Sequence, residues 1–247
     1  MTSEFWIKTS GTWINVSTVL LGTVLGLLLK RRLPERMQRI LTQGVGLLTL
    51  WIGVSMAGSL TQATAGAVDG AILGLLTMVL GGLLGEWGQL EERLAAIGDG
   101  LKRHFRSQGR FTEGFVAASV LFCVGPMTVL GCLNNGLGGD NSLLTLKATM
   151  DGIAAIALTG TYGVGVGFSA LVVLVYQGGL SLVAGAIATF LPDPTTDPRI
   201  FLVTGVGGLA ILGIGLNLLE VARIRVASFL PALALAPLIY WLARQFS

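Results

Sequence analysis

Residues Phe111–Gly167 read FTEGFVAASVLFCVGPMTVLGCLNNGLGGDNSLLTLKATMDGIAAIALTGTYGVGVG. Two apolar stretches flank a loop of Asn, Gly and Asp. The first carries a Gly125-Pro126 break near its middle. The second opens on a carboxylate, Asp151, and ends in a glycine ladder at Gly163, Gly165 and Gly167. A helix broken inside a bilayer frees backbone groups that lipid cannot satisfy, so such a break survives only against protein or a water-filled cavity. This stretch therefore sets the class of the chain, a multi-pass membrane protein, and is where a site is expected.

Working outward, composition agrees. Of 247 residues, 53% are hydrophobic and only 12% charged, against about a quarter charged in soluble domains. Mean hydropathy is +0.78. Thirty-six glycines suit helices that approach closely in lipid. The net charge of +3 is not a nucleic-acid footprint, because the basic residues cluster in loops, where they orient a membrane protein. The fold class expected is an all-α polytopic transmembrane bundle, residues 1–247 as one transmembrane domain with an amphipathic cytoplasmic connector over 86–110.

Eight segments are predicted, at about 11–29, 43–60, 68–85, 112–133, 148–162, 164–190, 200–219 and 226–243. The run Asp151–Leu191 is too long for one crossing, and the glycine ladder is its natural turn. With eight crossings and the N-terminus outside, 12 of the 16 Lys and Arg lie in inner loops, with Lys8, Lys147, Arg199 and Arg244 left outside. Taking Asp151–Leu191 as one crossing gives seven and puts Arg223 and Arg225 outside, so the positive-inside rule prefers eight. Lys30-Arg31-Arg32 follows the first apolar stretch and is expected to retain it as an anchor. Segments two and three echo in four and five: Thr77 and Thr159 each fall eight residues after Asp69 and Asp151. Internal repeats of this kind are common in transporters.

Candidate site residues follow from the cost of polar groups in lipid. Asp69 and Asp151 are read either as caps at helix starts or as a cation- or proton-binding pair. Asn15, Gln177 and Asn217 lie deeper and need partners, from neighbouring helices or from a solute. The break itself, Gly125, Pro126, Met127 and Thr128, frees a carbonyl, because proline lacks an N–H. Freed carbonyls bind ions or small solutes in many transporters. Cys123 and Cys132, about 13 Å apart if they share one helix, are read as small packing residues too distant for a disulfide. No metal or other cofactor is expected.

The run 111–157 is similar to the signature of the YqgA/YdfK-like family of bacterial inner-membrane proteins. Gly11–Gly26 (GTWINVSTVLLGTVLG), Leu33–Gln38 (LPERMQ), Ile52–Gly58 (IGVSMAG), Tyr176–Leu180 (YQGGL) and Gly213–Leu233 (GIGLNLLEVARIRVASFLPAL) resemble it too. The resemblance implies a polytopic membrane protein, sometimes described as a transport protein, and implies no substrate and no established functional residue.

Three functions are weighed. A transporter or channel for a small ion or solute fits the broken segment and the aspartates, with a cation or proton favoured. A membrane scaffold or lipid sensor would work through the 86–110 connector. An enzyme is not expected, since GxSxG and HExxH are absent and two separated aspartates match an aspartyl protease poorly. The expected partners are the lipid bilayer and, through glycine-faced helices such as the first, further copies of the chain.

Overall fold

A computed structural model describes residues 2–32, 34–104, 110–123, 126–184 and 196–245. The described residues form ten α-helices: α1 Thr2–Arg32, α2 Glu35–Ala57, α3 Gly70–Trp87, α4 Leu90–His104, α5 Phe111–Cys123, α6 Pro126–Gly138, α7 Ser142–Tyr162, α8 Gly165–Leu182, α9 Pro198–Leu218 and α10 Leu230–Gln245. Seven unbroken helical stretches are long and apolar enough to cross a membrane. The pair α5 and α6, bent by 62° across the break, makes an eighth span when counted as one. The outward faces are apolar, with Trp51, Leu83 and Val175 among the exposed residues, as lipid-facing surfaces must be. The protein is a multi-pass, all-α membrane protein.

The chain divides into two compact units, residues 1–45, 97–123 and 127–192 in one, and 46–96, 124–126 and 193–247 in the other. In the first unit α1 packs along α7 and against α8, while α5 lies on α8 and α7. The α1–α7 contact is close because both faces are small. A Cβ on Gly22 would stand 2.3 Å from the Gly152 carbonyl oxygen, and one on Gly26 2.5 Å from that of Ile156. The glycine face read as a self-association surface is therefore used inside the chain. Gly22→Ala is expected to destabilise the protein by about 1–3 kcal/mol, the usual range for overpacking. Gly44→Ala, where a Cβ meets nothing within 4 Å, should gain up to about 1 kcal/mol from helix propensity. Thermal unfolding in detergent compares the two.

The α7–α8 turn falls at the glycine ladder. Gly163 has φ +81°, a left-handed value that favours glycine, and its N–H donates to Thr159 O at 2.9 Å. Segment five is longer than its sequence reading, starting at Ser142 rather than near Ala148. The loop read over 134–146 is correspondingly short, because α6 runs to Gly138. Asn135 is fully buried there. Its Oδ1 accepts from Gly11 N at 3.1 Å and its Nδ2 donates to Ile7 O at 3.0 Å, so one side chain bridges an i, i+4 backbone pair of α1.

The second unit packs α3 against α10 and α9. Its core holds Leu73, Leu202, Val206, Ala232, Ala236 and Tyr240. The turn after α9 is held by Asn217, whose Nδ2 donates to Ile224 O and whose Oδ1 accepts from Ile224 N, both at 2.7 Å. Asn217→Ala loses both bonds. At about 1 kcal/mol each, a fall in unfolding free energy of about 1–3 kcal/mol is expected on denaturation in detergent.

Candidate functional site

A buried ion pair sits in the first unit, on α7. Lys147 and Asp151 are one helical turn apart, so their side chains meet on one face, and Lys147 Nζ pairs with Asp151 Oδ2. The residues are only 6% and 8% exposed. Bringing two charges out of water costs several kcal/mol each, and is tolerated only where further hydrogen bonds complete the pair. Those bonds come from two other helices, and a third braces one of the donors.

On α5, Phe122 O accepts from Lys147 Nζ at 2.6 Å. The local sequence explains why this carbonyl is available. In a continuous helix it would accept from the N–H four residues on, and residue 126 is proline, which has none. On α1, Asn15 Nδ2 donates to Asp151 Oδ2 at 2.9 Å and to Gln177 Oε1 of α8 at 3.2 Å. Asn15 and Gln177 are both fully buried. A cation, an anion, two carboxamides and a freed backbone carbonyl thus converge from α1, α5, α7 and α8.

The network is under-satisfied. Asn15 Oδ1, Gln177 Nε2 and Thr12 Oγ1 are buried with no hydrogen-bond partner among the described residues. Buried polar atoms are normally paired, so these atoms leave hydrogen-bonding capacity open around Asn15 and Gln177. Thr12 lies one turn before Asn15 on α1, and its Cγ2 comes within 3.8 Å of a Cβ built on Gly178, next to Gln177. Hydroxyls, carboxamides and one compensated charge pair suit a small ion or polar solute. Cys123 and Cys132 are buried and unbridged, on separate helices rather than on the single helix read from sequence.

Of the candidates from sequence, Asp151, Asn15 and Gln177 come together, and Thr128 is buried nearby in the chain at the start of α6. Met127 is half-buried on the same helix. Pro126 opens α6, and Gly125 lies outside the described residues. Asp69 and Asn217 belong to the other unit. Asp69 is exposed and caps α3, its Oδ1 accepting from Ala71 N at 2.7 Å. Asn217 spends both ends of its amide on Ile224. Asp151, read as opening its helix, instead lies in the third turn of α7, and Lys147, counted as an outer-loop charge, lies inside the same helix. Lys147 and Thr12 were missed. The available signal was the Lys147-x-x-x-Asp151 spacing, which lets two charges enter an apolar helix as a neutral pair.

The connector is a helix over Leu90–His104 with acid in its first turn and Lys102, Arg103 and His104 in its last. Glu86 pairs with Arg225 at 2.7 Å, and Glu92 pairs with the same guanidinium. Glu91 accepts from Ala227 N at 2.8 Å. Burial pushes the Glu91 carboxyl above the usual carboxylate range, against the Ala227 N–H and the Arg225 charge, which pull it down. Trp87 stays 86% exposed. Glu113 pairs with Arg110 at 2.6 Å at the exposed start of α5.

The family described as "Protein of unknown function (DUF554)" matches residues 10–241. "Uncharacterized membrane protein YdfK" of Bacillus subtilis (strain 168) is 30% identical over 236 residues, covering 96% of this chain and 97% of its own. "Uncharacterized protein YqgA" of Escherichia coli (strain K12) is 35% identical over 232 residues, covering 92% and 94%. No solved structure matches the chain.

Proposed function

We propose that this chain, which belongs to the DUF554 family of proteins of unknown function, moves a small ion or polar solute across the membrane, with the Lys147–Asp151 network as its site. The observation that carries this reading is a compensated charge pair deep among apolar helices, held against the carbonyl that Pro126 leaves free. Charged side chains in membrane segments are costly and mark transport paths. Carbonyls at broken helices are the usual ion ligands in transporters. The carboxylate favours a cation or proton as the transported or coupled species. The role is non-enzymatic. The proposed setting is the bacterial inner membrane with the N-terminus outside, which keeps the basic 30–39 and 102–110 stretches on the inner side, and the chain works as a homo-oligomer through faces other than the Gly22–Gly26 stripe. The test is flux into liposomes carrying the purified protein, across protons, alkali and divalent cations, halides and small carboxylates. Transport of one class above protein-free liposomes is the expected result, and none across the panel overturns the reading.

A second reading rests on the connector. Ile97 is exposed on the helix whose last turn carries Lys102, Arg103 and His104, which suits an interfacial helix on anionic lipid. On that reading, neutralising Lys102 and Arg103 abolishes function while Asp151→Asn preserves it.

A further inference from the structure

We infer that Asn15, Gln177 and Thr12 hold one small neutral molecule that both donates and accepts hydrogen bonds, water or a solute of the same chemistry, in a space beside Gly178. The ligand lies next to the ion pair of the site assigned above and is distinct from the species moved, so binding and flux are tested separately.

The orientation of the two carboxamides is fixed by chemistry. Asn15 Nδ2 donates to Asp151 Oδ2 and to Gln177 Oε1. Turned over, Asn15 would set its oxygen against a carboxylate and a carbonyl, acceptors with no hydrogen between them. Gln177 turned over would set its NH2 against that of Asn15. The atoms left over are therefore a pure acceptor, Asn15 Oδ1, and a pure donor, Gln177 Nε2, and neither has a partner among the described residues.

Thr12 adds a hydroxyl to them. On α1 the hydroxyls of Thr9, Ser10, Ser17, Thr18 and Thr23 all donate to a carbonyl of their own helix, a common use of a hydroxyl there. Thr12 Oγ1 makes no such bond, although the residue is fully buried. It lies one turn before Asn15, on the same face.

The space is next to these groups. Other buried glycines of this unit sit hard against a neighbour: a Cβ on Gly136 would stand 1.9 Å from Ser181 O, and one on Gly114 2.5 Å from Tyr162 Cβ. Gly178 is buried too, yet beyond its own helix a Cβ there meets nothing nearer than Thr12 Cγ2 at 3.8 Å. A methyl-sized group fits between Thr12 and the residue after Gln177, and a water needs no more room than that.

Charge and donor count choose the ligand. Lys147 and Asp151 already compensate each other, so an added ion leaves a net charge in the interior, which is costly. A cation has no use for Gln177 Nε2, and an anion none for Asn15 Oδ1. A water accepts from Gln177 Nε2 and donates to Asn15 Oδ1 and Thr12 Oγ1. That makes about three bonds, the usual number for a buried water.

The test is water-edited nuclear magnetic resonance on the whole chain in lipid bilayers, with the Asn and Gln side-chain nitrogens isotopically labelled. The Gln177 signal is identified by its loss in Gln177→Met. Expected is magnetisation transfer from water to Gln177 Nε2 and none to Asn135 Nδ2. Asn135 is equally buried, but its NH2 is spent on Ile7 O and Ser10 Oγ. Gly178→Ala fills the space with a methyl and should abolish the transfer, the Asn135 signal staying in place as the check on folding. If that variant does not fold, Thr12→Val decides: it keeps the shape, removes the hydroxyl and should weaken the transfer. Formamide, a neutral donor and acceptor, is then added. Water transfer that persists supports the inference with water as the ligand, and transfer from formamide in its place supports it with a solute. No transfer from either overturns it, as does equal transfer to Asn135 and Gln177, or transfer unchanged by the deciding variant. A ligand at Gln177 without flux counts against transport and leaves this inference standing. Flux with no ligand at Gln177 does the reverse.

Discussion

Lys147→Met is expected to lower the unfolding free energy by about 3–5 kcal/mol, the range for removing one partner of a buried ion pair. The substitution takes away the only cation bound to Asp151 among the described residues and leaves the carboxylate with Asn15 Nδ2. The double variant Lys147→Met, Asp151→Asn should recover most of the loss, since two neutral side chains of similar volume replace a pair whose desolvation cost vanishes with it. Lys8→Met is the comparison. Lys8 is also one turn from an acid, Glu4, but these side chains are 40% and 71% exposed, and an exposed pair is worth under about 1 kcal/mol. Denaturant unfolding in micelles measures all four proteins. A Lys147→Met loss no larger than that of Lys8→Met would mean that the buried pair is not formed.

What was legible in the sequence was whatever local chemistry dictates. Apolar length marked the crossings. Gly163 marked the α7–α8 turn, where an uncharged ladder is all that separates two spans. Pro126 announced a free carbonyl four residues earlier, and Phe122 O is the one that Lys147 engages. Asn15 and Gln177 were marked by polarity alone. What could not be read depends on partners distant in the chain. Asn134-Asn135-Gly136 is turn-forming by propensity, yet Asn135 is helical because Ile7 and Gly11 satisfy its amide. Lys147 looked like a loop charge because the start of α7 has no strong cap: Asn141 makes no side-chain capping bond. Asp69 and Asp151 look alike in sequence, each followed by Gly and an apolar run. They differ because only Asp151 has a lysine one turn before it, which lets it stand inside a helix. Asp69 has no such partner at that spacing and stays at an exposed helix start.

That difference sets the last expectation. Asp151→Asn should reduce flux in liposomes by about 100-fold or more, which corresponds to roughly 3 kcal/mol of lost interaction, while Asp69→Asn should leave it unchanged. Asparagine caps a helix as well as aspartate does, so Asp69→Asn keeps the bond to Ala71 N that the native residue makes. Even Asp69→Ala should cost only about 1 kcal/mol of stability and no transport. At position 151 the amide keeps the shape but removes the one negative charge of the network, and its NH2 brings donors to a place where Lys147 and Asn15 already donate. Loss of flux through unfolding is separated from loss of the site by the double variant Lys147→Met, Asp151→Asn, which should fold and still fail to transport. Equal flux from Asp151→Asn and the native protein would remove Asp151 from the path and leave the Lys147 pair as an element of structure.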